Sequence, residues 1–205
     1  MLQCPATLLI ARHGDATYAG PHGPADAVDR LTSTGRQQIL TLASSVADRN
    51  IAAVYSSTTG RAVESAEVAA AQLGLKPRQE AGLEELQVAE LDGQPYGSSR
   101  WAAIYDDWAA RELDASVPGG ECGRDVLTRM QEALQGIADL HRGETVLVIS
   151  HGGVMAFAIP RIVENVGDRY ATARYLPNAV PAVVEAGDDG WRLLSWPGSS
   201  DARVA

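Results

Sequence analysis

The sequence predicts an α/β protein, a three-layer α/β/α sandwich with a mostly parallel central sheet. Three short runs without charge, rich in aliphatic residues, occupy residues 7–11, 51–56 and 145–150. Strands have this composition when helices cover both faces of their sheet. Segments with helical periodicity separate the runs, and such alternation is typical of a parallel sheet between two helix layers. The chain has 205 residues, 45% of them hydrophobic, which suits one domain with a full core.

The apolar stripe of an amphipathic helix recurs in four segments. These segments are residues 34–49, 58–73, 124–140 and 154–163. Gly74 is a natural stop for the second helix, and Pro160 marks a late kink or the end of the fourth. Towards the end of the chain, residues 179–186 and 191–196 flank Gly187-Asp188-Asp189-Gly190, a pattern that predicts a β-hairpin.

Charge and cysteine content narrow the class of protein. The formal net charge is −9, which disfavours nucleic acid and anionic membranes because both are bound by clustered Lys and Arg. No apolar run is long enough to cross a bilayer. Two cysteines, Cys4 and Cys122, are too few for a disulfide framework. We therefore expect reduced thiols, a cytoplasmic location and a single domain over residues 1–205.

Cationic and imidazole side chains follow each of the three predicted strands. Arg12 and His13 follow the first, Arg61 lies shortly after the second, and His151 and Gly152 follow the third. The carboxyl ends of parallel strands form the ligand-binding edge of an open α/β sheet. Glycine allows close backbone approach, and the amino end of a following helix attracts anions. The pattern predicts a site for a phosphate group.

These residue types also predict a reaction. A neutral His13 can attack phosphorus in line, while Arg12, Arg61 and a protonated His151 hold the phosphoryl oxygens. Arginines would then replace the divalent metal of other phosphatases, so we expect neither a metal nor a cofactor. The leaving alkoxide needs a proton from a carboxyl group. An acidic cluster could supply it, formed by Glu84, Glu85, Glu90 and Asp92.

Six blocks of the sequence resemble, in order, the motifs of the histidine phosphatase superfamily, also called the phosphoglycerate mutase-like family. The blocks are residues 8–15, 31–38, 56–66, 83–85, 118–121 and 148–153. The resemblance implies a phosphoglycerate mutase-like fold. It also implies that His13 is the phosphorylated nucleophile and that Arg12, Arg61 and His151 complete the phosphate pocket.

The same resemblance assigns the proton donor and two weaker contacts. Glu85 matches the donor, with Glu84 as the fallback, and Thr17 and Ser57 lie where family members often contact phosphate or substrate. Some positions depart from the family pattern, such as Asp15 in place of Glu and Cys122 in place of Ser. These loops line the mouth of the family's pocket, so the sequence leaves the substrate open among small phosphorylated metabolites.

We therefore expect a metal-independent phosphatase that hydrolyses small phosphate monoesters through a phosphohistidine on His13, and two other functions share this set of residues. A phosphomutase would return the phosphoryl group to a second hydroxyl, but the segment 94–117, which we expect to form a helical cap, has only Arg100 and Arg111 as basic residues. That is fewer than a bisphosphate would need. A non-catalytic protein that binds a phosphate ligand is the other alternative. A homodimer is compatible with the sequence, which has no specific signal for one.

Several of these residues also have simpler interpretations. Arg61 could form a surface ion pair with Glu64 three residues later, and Glu85 could be a solvated loop carboxylate. His22 and His141 need no function. A metal site formed by His13, Asp15 and His22 is unfavourable beside arginine and matches no compact ligand spacing. Trp101 and Trp108 are interpreted as packing residues.

Overall fold

The computed structural model describes residues 4–17, 29–87, 89, 99–116, 118–171 and 176–198. Eight strands and five α-helices occupy these ranges. The strands are β1 (Ala6–Arg12), β2 (Ala16–Thr17), β3 (Arg30–Leu31), β4 (Ile51–Ser56), β5 (Pro77–Gln79), β6 (Thr145–Ser150), β7 (Pro181–Gly187) and β8 (Gly190–Ser195). The helices are α1 (Ser33–Ser45), α2 (Gly60–Leu73), α3 (Ser99–Ala109), α4 (Gly123–Leu140) and α5 (Gly152–Ile162).

Six strands form one central sheet in the order β5-β4-β6-β1-β7-β8. β1, β4, β5 and β6 are parallel, whereas β7 and β8 form an antiparallel hairpin on one side. The predicted α/β sandwich with a mostly parallel sheet is therefore confirmed. The three buried parallel strands predicted from the sequence, β4, β6 and β1, are neighbours in this order, and the predicted terminal hairpin is β7–β8. Their carboxyl ends consequently lie side by side.

Alternate side chains of β1 enter two separate hydrophobic cores. Leu8 and Ile10 pack with residues of α4 and α5 on one face, and Leu9 and Ala11 pack with residues of α1 and α2 on the other. All four side chains have 0% exposure. Burial of each large aliphatic side chain contributes roughly 1.5–3 kcal/mol, so both helix layers are held firmly against the sheet.

The observed helices begin or end a few residues from the predicted bounds. α1 ends at Ser45, and a 3₁₀ turn follows over Ala47–Arg49. α2 starts at Gly60 and α5 at Gly152, the latter two residues earlier than the pattern indicated. Glycine is a poor helix former, but in α5 a carboxylate accepts the first free N–H groups, as described below. Pro160 lies within the last turns of α5, as expected for a late proline.

Three short strands were missed by sequence reasoning. β5 is a three-residue, exposed strand that begins with Pro77 at the edge of the sheet, so it lacks the apolar pattern of a central strand. β2 and β3 are two residues each and form a separate antiparallel ribbon. The helix α3 lies within the segment expected to be a cap. Among the helices of the described ranges, none is long and apolar enough to span a membrane.

A close approach between two glycines positions the loop after β1. A Cβ atom on Gly14 would lie 2.5 Å from the carbonyl oxygen of Gly35, and one on Gly35 would collide with the carbonyl oxygen of Asp15. Thr32 caps α1 by accepting a hydrogen bond from the N–H of Gly35 at 3.0 Å. The amino end of α1 therefore packs directly against the residues that follow the first strand.

Candidate active site

Four side chains meet at the carboxyl ends of β1, β4 and β6, and we call them the cradle: Arg12, His13, Arg61 and His151. In the parallel pairing of β1 with β6, Arg12 lies opposite Ser150. This register brings the two histidines that follow these strands together, with ring centroids 5.2 Å apart. His13 is 2% exposed and His151 is fully buried. The four predicted residues thus form one cluster.

The hydrogen bonds of His13 define its tautomer. Nδ1 lies 2.7 Å from the carbonyl oxygen of Gly14, and since a carbonyl only accepts, Nδ1 carries the proton. Nε2 is then unprotonated, and its lone pair accepts a hydrogen bond from Nε of Arg61 at 3.1 Å. The nitrogen suited to attack on an electrophile is therefore the one that faces the cradle.

His151 has the opposite tautomer. Its Nδ1 accepts from Nη2 of Arg61 at 3.0 Å, so the proton lies on Nε2. That Nε2–H donates to Oγ of Ser57 at 2.7 Å, with Oγ1 of Thr59 at 3.2 Å. Ser57 therefore orients His151. Its predicted role in direct substrate contact stays a prediction.

Burial keeps both cradle histidines neutral near pH 7. Desolvation, opposed by the hydrogen bond to Gly14 and reinforced by Arg61 and Arg12, lowers the pKa of His13 to about 3. Desolvation and then the charge of Arg61 lower the pKa of His151 well below its ordinary value. The expected protonated His151 is thus not the state of the free protein, because the same arginines that favour an anion repel a second cation.

Arg61 is held by a carboxylate that sequence reasoning missed. Its Nη1 donates to Oδ2 of Asp29 at 2.6 Å, while Nε and Nη2 reach the two histidines. The alternative pairing of Arg61 with Glu64 is wrong, since Glu64 instead accepts from Arg36 at 2.6 Å and from the N–H of Leu31 at 2.9 Å. Nothing in the pattern around Asp29 distinguished it from a surface loop residue.

Two further residues support the cradle through the backbone and were also missed. Oγ of Ser65 accepts from the N–H of Gly14 at 3.1 Å and donates to the carbonyl oxygen of Arg61 at 2.7 Å. Asn178 donates through Nδ2 to the carbonyl oxygen of His13 at 2.8 Å. Ser65 lies within a block that resembles the family, which was a usable signal.

Arg12 connects the cradle to the start of α5. Its Nη1 donates to the carbonyl oxygen of Leu176 at 3.4 Å, and a Cβ atom on Gly152 would lie 3.3 Å from Cδ of Arg12. Gly152, predicted as a substrate-binding residue, therefore permits the close approach of the arginine. Any larger residue there would press on the side chain of Arg12.

Glu85 occupies the amino end of α5. Its Oε2 accepts from the N–H of Gly153 at 2.9 Å, and its Oε1 accepts from Val154 at 2.7 Å and Leu86 at 3.0 Å. We expected this helix end to bind an anionic ligand directly, but the N–H groups of Gly153 and Val154 already donate hydrogen bonds to the carboxylate of Glu85. Glu85 is thus a fixed residue beside Arg12, not a solvated loop carboxylate.

Glu84, the fallback proton donor, points elsewhere. It accepts from the hydroxyl of Thr58 at 2.8 Å and from the N–H of Gly82 at 2.7 Å. Burial raises the pKa of Glu84, but hydrogen bonds from the Thr58 side chain and from nearby N–H groups outweigh burial, so the net shift is downward. Glu85, by contrast, lines the cavity beside Arg12, and this position favours Glu85 as the donor.

Arg129 fixes the loop that contains both glutamates. Nη1 donates to the carbonyl oxygens of Gly82 at 2.9 Å and Glu84 at 2.8 Å, and Nη2 donates to that of Glu85 at 3.1 Å. Glu121 completes the arrangement with a two-point ion pair to Arg129 at 2.7 and 2.9 Å. In the sequence, Arg129 is one polar residue of an amphipathic helix and gave no signal of this role.

The remaining predicted residues lie outside the cradle. The exposed Thr17 donates to the carbonyl oxygen of Arg30 across the β2–β3 ribbon at 3.3 Å, and its role in substrate contact stays a prediction. His141 caps α4, where it contacts Glu144 at 2.7 Å and the hydroxyl of Tyr55 at 3.1 Å. His22 lies outside the described residues.

The packing residues and the thiols are simpler. Trp108 is 2% exposed in the core, whereas the side chain of Trp101 lies outside the described part of the chain. Cys4 and Cys122 are both free thiols. Trp108, Cys4 and Cys122 lie outside the cradle.

A cavity of about 570 Å³ adjoins the cradle. Arg12, Glu85, Gly152 and Gly153 form its inner end, and residues of α3 and α5 form its walls. A group bound in the cradle would therefore extend past Glu85 into this space.

Comparisons with known proteins give consistent similarities. A family model described as "Histidine phosphatase superfamily (branch 1)" matches residues 8–198. "Phosphoglycerate mutase-like protein 4" of Arabidopsis thaliana is 32% identical over 156 residues, 73% of this chain and 68% of the relative. "Metal-independent phosphoserine phosphatase" of the same plant is 30% identical over 195 residues, 92% of this chain and 80% of the relative. Among solved structures, Bacillus stearothermophilus YhfR superposes with a TM-score of 0.74 at 26% identity, covering 98% of both chains.

Proposed function

The chain belongs to the histidine phosphatase superfamily, and from that premise we propose that it hydrolyses small phosphate monoesters without a metal ion, through a phosphohistidine on His13. The observation that supports this function best is the tautomer of His13. Its unprotonated Nε2 lies inside a cluster of two arginines and a second histidine, where it accepts a hydrogen bond from Arg61. A neutral imidazole among fixed cations is suited to attack a phosphoryl group whose negative charge those cations hold.

In the first step, Nε2 of His13 attacks phosphorus and the ester P–O bond breaks. The Nε–H of Arg61, which bonds Nε2 in the free protein, turns to a phosphoryl oxygen when the substrate binds. A protonated Glu85 donates its proton to the leaving oxygen, so the alcohol departs neutral. The products of this step are the alcohol, the phosphohistidine and the Glu85 carboxylate.

In the second step, water attacks the phosphohistidine. The Glu85 carboxylate accepts a proton from that water, the P–N bond breaks, and phosphate leaves with His13 neutral again. Arg12, Arg61 and His151 hold the three equatorial oxygens in both steps. A bound phosphate raises the pKa of His151, because a nearby anion favours the charged imidazole, so the protonated form becomes accessible in the complex.

The same site bears on the cap and on the two alternative functions. We propose that α3 is the cap over the cavity. A phosphomutase would need to keep the phosphorylated product in place, and of the two basic residues in the segment 94–117, Arg111 is already paired with Asp168 at 3.1 Å. Hydrolysis therefore fits better than transfer to a second hydroxyl, and the complete cradle fits catalysis better than ligand sensing.

The experiment that tests this function is a labelling assay. Purified protein is mixed with a ³²P-labelled monoester and quenched within one turnover. We expect acid-labile, base-stable label on the wild type and none on His13→Asn. His141→Asn is the matched control and should retain the label. Phosphate release should continue in excess chelator.

Each of the two alternative functions, phosphomutase and ligand sensor, predicts its own result in this assay. Isomerisation of a phosphoglycerate without phosphate release would show a mutase, and binding without label or turnover would show a sensor. A strict requirement for a metal ion would overturn the mechanism.

A further inference from the structure

The cavity beside the cradle lies where the alcohol of a substrate must go. Its inner end contains Arg12, Gly152 and Gly153 together with Glu85, the residue assigned to protonate the leaving oxygen. A phosphoryl group seated against His13 therefore directs its ester oxygen past Glu85. The rest of the substrate enters the cavity, so the walls of the cavity determine which alcohol is accepted.

Most of the wall beyond Glu85 is apolar. α3 contributes the ring of Tyr105 and the methyl group of Ala109, and α5 contributes Ala156 and Phe157. Leu176 closes the side next to Arg12, to which it is linked by its carbonyl oxygen. Small and aromatic apolar groups of this kind stabilise apolar ligands by removing their surface from water.

One cation of the wall, Arg161, is already bonded to the protein. Nη1 of Arg161 donates to the carbonyl oxygens of Phe157 at 2.7 Å and Asp168 at 3.3 Å, and Nη2 donates to that of Trp108 at 3.1 Å. Its guanidinium carbon also lies 4.3 Å from the centre of the Phe157 ring. Arg161 thus joins α3 to α5 and is poorly placed to bind a substrate carboxylate.

The other charged residues of the wall are nearly balanced. Asp106, Asp168 and the exposed Arg169 belong to the lining, and Asp168 is paired with Arg111. A receptor for a small acid such as a phosphoglycerate would place an available cation close to the cradle. In the described part of the wall, Arg12 belongs to the cradle and Arg161 is already bonded, so the remaining cation is the exposed Arg169.

The cavity is also much larger in volume than a small hydroxy acid. Serine has seven heavy atoms, and at roughly 30 Å³ per heavy atom, the share of a water molecule in the liquid, it would occupy roughly 200 Å³. The cavity measures about 570 Å³, within the range of pockets that enclose ring-sized ligands. A serine or glycerate group would leave more than half of it filled with water.

We infer that this cavity is the leaving-group subsite and that it selects phosphate monoesters of bulky, largely apolar alcohols over monoesters of small hydroxy acids. The inference rests on the proposed phosphatase function and specifies its substrate class. An apolar ring or chain fills the space between α3 and α5. The phosphate is the one strongly charged part of the preferred substrate.

The test uses primary alkyl phosphates, whose leaving groups have similar reactivity. Ethyl, butyl, cyclohexylmethyl and 3-phenylpropyl phosphate are compared with phosphoserine and 3-phosphoglycerate by phosphate release. We expect kcat/KM to rise about fourfold per buried methylene, which gives about 16-fold between ethyl and butyl phosphate, and to be highest for 3-phenylpropyl phosphate. Both acids should be poorer substrates than butyl phosphate.

Two matched variants locate the preference. Ala156→Leu adds bulk inside the cavity and should lower the ratio of 3-phenylpropyl to ethyl phosphate turnover by about tenfold or more. Ala103→Leu makes the same change at an exposed position of α3 and should leave the ratio unchanged. The wild-type series is decisive even if Ala156→Leu fails to fold.

The opposite results are equally clear. A flat series, or a preference for the acids that Arg169→Ala removes, would overturn the assignment of the cavity while leaving the phosphatase intact. Turnover of none of these esters would refute the proposed function itself.

Discussion

In the cradle, two arginines and two histidines come from the ends of adjacent strands or the helix start beside them, and Arg61 contacts both histidines within 3.1 Å. In the cavity next to it, the walls come from α3, α5 and the segment around Leu176, and they enclose about 570 Å³. The cradle is fixed by strand register and by hydrogen bonds among its own members. The cavity is fixed only by where two helices pack.

This difference separates chemistry from selectivity. A change in the cradle alters groups that hold the phosphoryl moiety, which all substrates share, so it should affect all esters equally. A change in the cavity alters contacts to the alcohol, so it should affect esters in proportion to their size. Glu85 stands between the two regions, since it caps α5 and lines the cavity, and it should respond to the reactivity of the leaving group.

The largest expected effect is the loss of Arg61. Arg61→Ala removes the one residue that donates to both histidines and should lower kcat/KM by about 10³- to 10⁵-fold. Arg61→Lys keeps the charge without the planar guanidinium fork, and its kcat/KM should lie between those of the wild type and Arg61→Ala. The loss should be the same for ethyl and 3-phenylpropyl phosphate. Arg124→Ala, at an exposed ion pair with Asp114, is the control; a size-dependent loss in Arg61→Ala would remove the distinction between the two regions.

Glu85→Gln should separate esters by leaving group. Without an acid, alkyl phosphates should lose about 10²- to 10⁴-fold in kcat, whereas p-nitrophenyl phosphate, whose leaving group needs little protonation, should lose far less. Steady-state rates on one alkyl and one aryl ester measure this. Glu84→Gln changes the neighbouring carboxylate and should not discriminate between them. Equal losses for both esters in Glu85→Gln would assign proton donation to another residue.

Asp29→Asn should have a smaller effect that is confined to the cradle. The ion pair of Asp29 with Arg61 positions the guanidinium, and its loss removes a charge-assisted hydrogen bond worth about 1.5–3 kcal/mol. We expect kcat/KM to fall by about 10- to 100-fold on every ester. Asp29→Glu should recover part of this loss, which a purely structural role would not predict. Asp114→Asn is the matched control at the surface.

The pH dependence of stability tests the cradle without any substrate. The pKa of His13 is lowered from 6.5 to about 3 in the folded protein. Between these two pH values His13 is protonated in the unfolded state but neutral in the folded state. The free energy of unfolding should therefore rise with pH between about 3 and 6.5, by up to about 1.4 kcal/mol per pH unit for this histidine. Denaturant unfolding at several pH values measures the slope. His13→Asn should flatten it, and an unchanged slope would show that His13 titrates normally.

The sequence placed the central strands and the cradle well for one physical reason. Strands covered on both faces are continuous apolar runs, and the residues just after them lie at the ligand-binding edge, so Arg12, His13 and His151 could be located from local pattern alone. Sequence reasoning missed β5 because an exposed edge strand has no such apolar run. Sequence reasoning also missed the role of Arg129. Its partners are the carbonyl oxygens of Gly82, Glu84 and Glu85, and they can be identified only after the helix is packed.

By itself the sequence determined the fold class, the three central strands and three members of the cradle, because each depends on periodicity and on adjacency along the chain, whereas Arg61 was assigned from the resemblance to the family. Only the tertiary structure decided that His151 is neutral, that Asp29 holds Arg61, that Glu85 occupies the amino end of α5, and that an apolar cavity lies beyond it. A pKa depends on burial and on charges nearby in space, and a cavity depends on helix packing. Neither quantity is encoded in the spacing of residues along the chain.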